Sequence, residues 1–180
     1  MVEELPARLV ERMCRGDEAA FERVLDRHLE QITHYVRRMM HDSPEAEDIV
    51  QETFIRLWRS RGRFEAGRVK LSTWLHRIAH NLCVDHFRRR RNREAVEPEV
   101  ASAAGPESDY ETETRSRRVH AALLSLSERQ RSAIVLCHYQ GLSNRDAARI
   151  LALSVDALES LLRRARAKLK ALLEEESPEK

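Results

Sequence analysis

The chain reads as all-α: two small helical domains joined by an extended acidic linker. Three observations lead there. Five glycines and five prolines are spread over 180 residues, 34% of them charged, which is the composition of a helix-rich chain. Apolar residues recur at three- and four-residue spacing in the segments on either side of the middle. Between Glu94 and Thr114 that periodicity stops: the stretch is rich in Ala, Glu, Pro and Ser, contains Gly105-Pro106, and holds seven acidic residues and no Lys or Arg. Such a segment has too little apolar surface to order itself. Residues 1–93 and 115–180 are therefore expected to be separate domains, with 94–114 as the linker.

Composition excludes more than it selects. A net charge of +2 says little about partners, but its distribution is uneven, since five arginines between Arg88 and Arg93 directly precede the acidic stretch. The longest uninterrupted apolar run, Ala133 to Cys137, is far below the roughly 20 residues that span a bilayer. The amino terminus has no basic region followed by an apolar one, so a cytoplasmic protein without membrane insertion is expected. Three widely spaced cysteines, Cys14, Cys83 and Cys137, fit reduced thiols rather than a disulfide framework.

Taken in order, the first helix is expected at Val2 to Arg15, with Gly16-Asp17 breaking it and capping the next. From Glu18 to Met40 the positions Ala20, Phe21, Val24, Leu25, Ile32, Tyr35, Val36 and Met39 describe a core helix, with His28 and His34 at its edge or in solvent. Ser43 is the expected N-cap of a third helix, with Pro44 at its first position and Glu45, Glu47 and Asp48 near its positive end. Its core stripe is Ala46, Ile49, Val50, Thr53, Phe54 and Leu57. On its other face Asp48, Gln51, Glu52 and Arg59 surround Ile55, an apolar centre with a charged rim that suits a protein partner. A single exposed isoleucine is also common with no partner at all.

Ser60 to Leu71 interrupts the pattern with two glycines, four basic residues including Arg61 and Arg63, and Phe64. It is either an ordinary connector or a basic loop suited to an unstacked strand. Ser72 to Arg91 then forms one amphipathic helix. Trp74, Leu75, Ile78, Ala79 and Leu82 face the core; His76, Arg77, His80, Asn81, Arg88 and Arg91 form an opposing ridge with Phe87 beside it. The ridge suits a polyanion bearing base edges, or is simply a solvated basic face. His76, His80 and Cys83 also fall at i, i+4 and i+7, the spacing of three zinc ligands, but no carboxylate is placed beside them as a general base. The expectation is a protein with no metal, no cofactor and no catalytic site.

In the second domain Ser127-Glu128-Arg129-Gln130 is a capping box opening a helix, which Gly141 ends. Ser143 caps a short helix with Ala147, Ala148, Ile150 and Leu151 inward. After a turn at Ala152 to Ser154, a longer helix buries Leu158, Leu161, Leu162, Ala165 and Leu169 and directs Ser160, Arg163 and Arg164 outward. Two helices on a tight turn, the second basic opposite its apolar stripe, make a helix-turn-helix.

The successive stretches GDEAAFERVLDRH, AEDIVQETFIRLWR, STWLHRIAHNLCVDHFRRRR and LSERQRSAIVLCHYQGLSNRDAARILALSVDALESLLRRARAKL together resemble an extracytoplasmic-function sigma factor, the compact type retaining only sigma regions 2 and 4. The resemblance implies a promoter-specificity subunit of bacterial RNA polymerase. It implies that the helix bearing Asp48, Gln51, Glu52 and Ile55 docks on the polymerase clamp. It implies that Arg61, Arg63 and Phe64 of the loop, with His76, Arg77, His80, Asn81, Arg88 and Arg91, melt the −10 element and hold a flipped non-template base. It implies that Arg145, Glu159, Ser160, Arg163 and Arg164 read the −35 duplex while their domain rests on the polymerase flap. The linker would thread toward the catalytic cleft, its carboxylates mimicking phosphates, and an anti-sigma factor would hold the protein inactive. Three positions depart from the family pattern: Glu159 and Leu161 stand where basic residues are frequent, and Ala152 where the turn often has glycine. A two-domain regulator that recruits nothing would explain Ser127 to Leu169 and leave the basic loop, the ridge and the linker without a task.

Overall fold

The computed structural model describes residues 5–40, 43–65, 67–94 and 112–175; nearly all of the acidic linker expected at 94–114 lies outside the described residues. Among the described residues every regular element is helical. The first bundle comprises α1 (Ala7–Cys14), α2 (Glu18–Met40), α3 (Glu45–Ser60), a 3₁₀ turn at Arg61–Arg63 and α4 (Leu71–Glu94). The second comprises α5 (Thr112–Leu124), α6 (Glu128–Ile134) running into a π turn at Val135–Tyr139, α7 (Asn144–Leu151) and α8 (Val155–Glu175).

Helix α2 is the spine of the first bundle, packing against α1, α3 and α4. Its buried positions Val24, Ile32, Tyr35, Val36 and Met39 keep helical spacing, and the expected α3 stripe from Ala46 to Leu57 is buried against it. The junction from α1 is built as its sequence predicts. Gly16 takes φ +93, which glycine accepts without a side-chain clash. Asp17 Oδ1 then accepts from the Ala20 amide at 3.0 Å and its Oδ2 from Arg12 Nε at 2.7 Å. The Ala20 amide, and after it Arg12, holds the Asp17 carboxyl below its ordinary pKa. At the start of α3 the expected cap differs. The Ser43 hydroxyl donates to the Glu45 carboxylate instead of accepting a backbone amide, and helical geometry is entered through Pro44.

In the second bundle three serines cap helices. Ser127 Oγ accepts from the Gln130 amide at 3.4 Å while Gln130 Oε1 accepts from the Ser127 amide at 3.2 Å. Ser143 and Ser154 accept from the amides of Asp146 and Ala157 at 3.1 and 3.2 Å. Gly141 closes the π turn at φ +64, and Ala152 joins α7 to α8 in the left-handed region at φ 52. Arg131 is buried and ties the α5–α6 corner together, donating to the carbonyls of Leu123, Leu124 and Leu126 at 3.1, 2.9 and 3.4 Å.

The two bundles pack on one another. Helix α4 meets α7, and α2 meets α5, α6 and the π turn, so the buried apolar residues form one continuous cluster.

Candidate polymerase and nucleic-acid interfaces

The outer face of α3 has the character expected of it. Asp48, Gln51 and Ile55 are exposed, Ile55 at 36%; Glu52 is half-buried and accepts from Arg56 Nε at 2.7 Å. What the α3 pattern alone does not reveal is the other wall. Leu25 and Leu29 of α2 run alongside, Leu29 being 40% exposed, and α2 and α3 together frame an open groove of about 1150 Å³ that ends at Trp58. The signal was present in the sequence: Phe21, Leu25 and Leu29 recur every four residues, a second apolar stripe beside the core stripe of α2.

The basic loop is more committed to its own fold than its composition implies. Arg61 is half-buried, its guanidinium 4.0 Å from the Trp58 ring centroid and its Nη1 donating to the Trp58 carbonyl at 2.6 Å. Phe64 is half-buried against Trp74, ring centroids 5.0 Å apart, so its face is taken by another aromatic. Arg63 stands exposed.

The ridge on α4 needs correction. Arg77, Asn81, Arg88 and Arg91 are exposed as expected, Arg88 pairing with Asp85 at 3.0 Å and Arg91 reaching Glu128 of α6 at 3.6 Å. His76 and His80 are not on that surface, because the second bundle covers them. His76 is fully buried: Nδ1 donates to the Ser72 carbonyl at 2.7 Å, and Gln140 Oε1 lies 3.4 Å from Nε2. His80 Nδ1 accepts from the Tyr35 hydroxyl at 3.2 Å, with Ser132 Oγ 3.4 Å away. Burial lowers the pKa of both rings, that of His80 to about 4 with the charge of Arg129 adding to the effect, so both are neutral at pH 7. Arg131 Nη1 adds a bond to the Met39 carbonyl at 2.7 Å, and Arg38 lies 4.4 Å over the Tyr139 ring. Nor do the three residues with zinc-ligand spacing converge. Each histidine is held by the partners just named, and Cys83 is buried in the core with its thiol pushed up to about 12. Among the described residues no three metal-capable side chains cluster.

On the second bundle Arg145 of α7 and Glu159, Arg163 and Arg164 of α8 are exposed, and Ser160 is half-buried with its carbonyl accepting from Arg164 Nε at 3.4 Å. Asn144 Nδ2 donates to Glu159 Oε1 at 3.1 Å. Val155, which opens α8, is 39% exposed. Leu161 and Leu169 are half-buried against the core, as the stripe required.

A bundle exposing an apolar groove with acidic margins, docked to a helix-turn-helix whose second helix shows a charged outer face, defines a bipartite helix-turn-helix protein. Comparison with known proteins makes the class specific. Residues 24–93 match the sigma-70 region 2 family and residues 116–169 match sigma-70 region 4. The chain is 32% identical over 179 residues to the RNA polymerase sigma-H factor of Pseudomonas aeruginosa, covering 92% of each. It is 30% identical to the ECF RNA polymerase sigma factor SigW of Bacillus subtilis, covering 91% of this chain and 94% of that one. Its fold matches that of CnrH in complex with the cytosolic domain of CnrY, at a TM-score of 0.76 and 30% identity, over 95% of this chain and 98% of the other. The chain belongs to the extracytoplasmic-function sigma factors, which direct core RNA polymerase to promoters in transcription initiation.

Proposed function

We propose that this sigma factor uses the α2–α3 groove and the outer face of α3 to dock core polymerase, and α8 to read the −35 duplex. Residues 1–93, 94–114 and 115–180 serve as the polymerase-binding and −10 domain, the linker and the −35 domain. Asp48, Gln51, Glu52 and Ile55 make the clamp contact. Arg63, Arg77, Asn81, Arg88 and Arg91 supply the exposed part of the −10 surface. Arg61 and Phe64 shape the loop, while His76 and His80 reach DNA only after the two domains part. The single observation that carries this reading is the contrast in exposure: the α3 face and the α8 face are open in the same arrangement that covers the middle of α4. A chain in this state can meet polymerase first and single-stranded DNA afterwards, and it acts in the cytoplasm with no chemistry of its own.

Control by an anti-sigma factor belongs to the same reading. The CnrH relative is seen with CnrY, and a second structural relative, at a TM-score of 0.76 and 28% identity over 87% of this chain and 98% of the other, is the sigma factor RpoE with the anti-sigma factor NepR from Bartonella quintana. The α2–α3 groove is an apolar seat for such an inhibitor as well as for the clamp.

Run-off transcription with bacterial core polymerase on a promoter library tests the assignment. Addition of the wild-type chain should yield specific transcripts. The double variant Gln51→Ala, Ile55→Asp should lose holoenzyme assembly at unchanged helical content, since a central apolar anchor of an interface is worth about 2 kcal/mol or more. Undiminished capture of core polymerase by that variant would show that this face is not the docking surface.

A further inference from the structure

One polar side-chain contact from the preceding helix reaches the outer face of α8. Asn144 is the first residue of α7, and its Nδ2 donates to Glu159 Oε1 at 3.1 Å. The backbone beneath it is pinned, because the Ser143 hydroxyl immediately before accepts from the Asp146 amide at 3.1 Å. Both partners are exposed, so burial does not force the pairing. Arg163, four residues on from Glu159 and so at ion-pair spacing, is not the donor. Val155, one turn before Glu159 on the same face, is an exposed apolar residue at the helix end that enters a major groove in this kind of motif.

The chemistry of that contact is selective. A glutamate side chain otherwise samples several rotamers, and holding Oε1 directs Oε2 along one line. The donor is a neutral amide, so the full negative charge of Glu159 remains. An acceptor-only group in the major groove is rejected by guanine N7 and O6 and by thymine O4, and meets a donor only at the amino groups of cytosine or adenine. The adenine amino group lies beside the N7 acceptor, which repels a carboxylate, whereas the cytosine N4 group does not. A lysine or arginine holding Glu159 would have neutralised this discrimination.

We propose that Asn144 is the positioning residue that fixes Glu159 to accept a hydrogen bond from the N4 amino group of one cytosine in the −35 duplex. The inference rests on the reading of α8 as the −35 helix. It adds a residue outside that helix to the determinants of base preference.

Promoter-library selection with reconstituted holoenzyme tests it, using the wild type, Glu159→Arg, Glu159→Ala, Asn144→Ala and the Asn144→Ala, Glu159→Ala double variant. Base frequencies are read at every −35 and −10 position. Glu159→Arg should replace cytosine preference at one base pair, with guanine favoured. Asn144→Ala should weaken cytosine preference at that same base pair by about tenfold and leave other positions and the −10 frequencies unchanged. The double variant should be no worse than Glu159→Ala alone. Unchanged frequencies for Asn144→Ala beside a shifted Glu159→Arg would overturn the positioning role. So would a uniform loss of affinity for all sequences, which would make Asn144 a phosphate contact. An unchanged −35 preference for Glu159→Arg would instead overturn the assignment of Glu159 as a base-reading residue, and the inference with it.

Discussion

Helices α4 and α8 are both amphipathic, and both oppose an apolar stripe with a polar, arginine-bearing face; their fates differ. The outer face of α8 is open, with Glu159, Arg163 and Arg164 in solvent. The corresponding face of α4 is split lengthwise: Arg77 and Asn81 remain exposed, while one step around the helix His76 is buried beside Gln140 and His80 is half-buried against Ser132. A polar helix face is therefore not by itself a surface. A histidine is readily covered in this way because its neutral ring has only two nitrogens to satisfy, whereas Arg131, buried nearby, donates to the carbonyls of Leu123, Leu124, Leu126 and Met39.

The difference can be broken most directly at Ser132 of α6, which is fully buried with its hydroxyl 3.4 Å from His80 Nδ1. Ser132→Arg places a charge where no partner waits and should undock the domains. Single-stranded −10 DNA should then bind the free chain about tenfold more tightly, with steep salt dependence, while duplex −35 affinity stays as it was. Equal single-strand affinity before and after would mean that the covered face of α4 takes no part in DNA binding.

Acid should act on the same contact more gently. His80 ordinarily titrates near 6.5, and burial brings it to about 4 in the docked arrangement. The docked state thus prefers the neutral ring. Its stability is fully present above about pH 6.5 and declines as pH falls from there toward 4, with His76 shifted in the same direction. Amide exchange in α4 should quicken between pH 7 and 5.5 after correction for intrinsic rates, and His80→Gln should flatten that dependence. Protection of α4 that is indifferent to pH in the wild type would remove the histidines from the docking energetics.

The smallest change sharpens the comparison from the side of α8. Ala152 occupies the left-handed region at φ 52, a conformation that costs a non-glycine residue about 1 kcal/mol. Ala152→Gly should raise the stability of the second bundle by about 0.5 kcal/mol once the entropy of the added glycine is counted, without moving α8. A lower midpoint in denaturant would show that the turn is held by contacts of the Ala152 methyl group.

Most of the local features were legible in the sequence, although Ser43, expected to cap α3, bonds the Glu45 carboxylate instead. The caps at Ser127, Ser143 and Ser154 each involve residues three apart, and the stripes of α2, α3 and α8 follow from periodicity alone. Half of the α2–α3 groove was legible too, from the ring of polar residues about Ile55; its other wall needed α2 to be read for a second stripe. The covering of His76 and His80 was not legible. It depends on Gln140 and Ser132, 64 and 52 positions away, and on a docking between bundles that no window along one helix contains. The commitment of Arg61 to Trp58 and of Phe64 to Trp74 was hidden likewise, since a loop of basic and aromatic residues looks the same whether its side chains point outward or fold back on neighbouring rings.

The wide turn at Val135–Tyr139, where the Gln140 amide bonds the Val135 carbonyl at 3.0 Å, also governs how the chain tolerates changes of length. One residue more or fewer in a helix rotates everything beyond it by about 100° and advances it by about 1.5 Å. Deleting a residue there would restore an ordinary helical turn, yet it would carry Tyr139 away from Arg38, Gln140 away from His76, and α7 with α8 away from their present heading. Domain docking and the heading of α8 are geared to one another through this turn. Point substitutions can retune either alone, whereas an insertion or deletion between 135 and 139 must reset both at once.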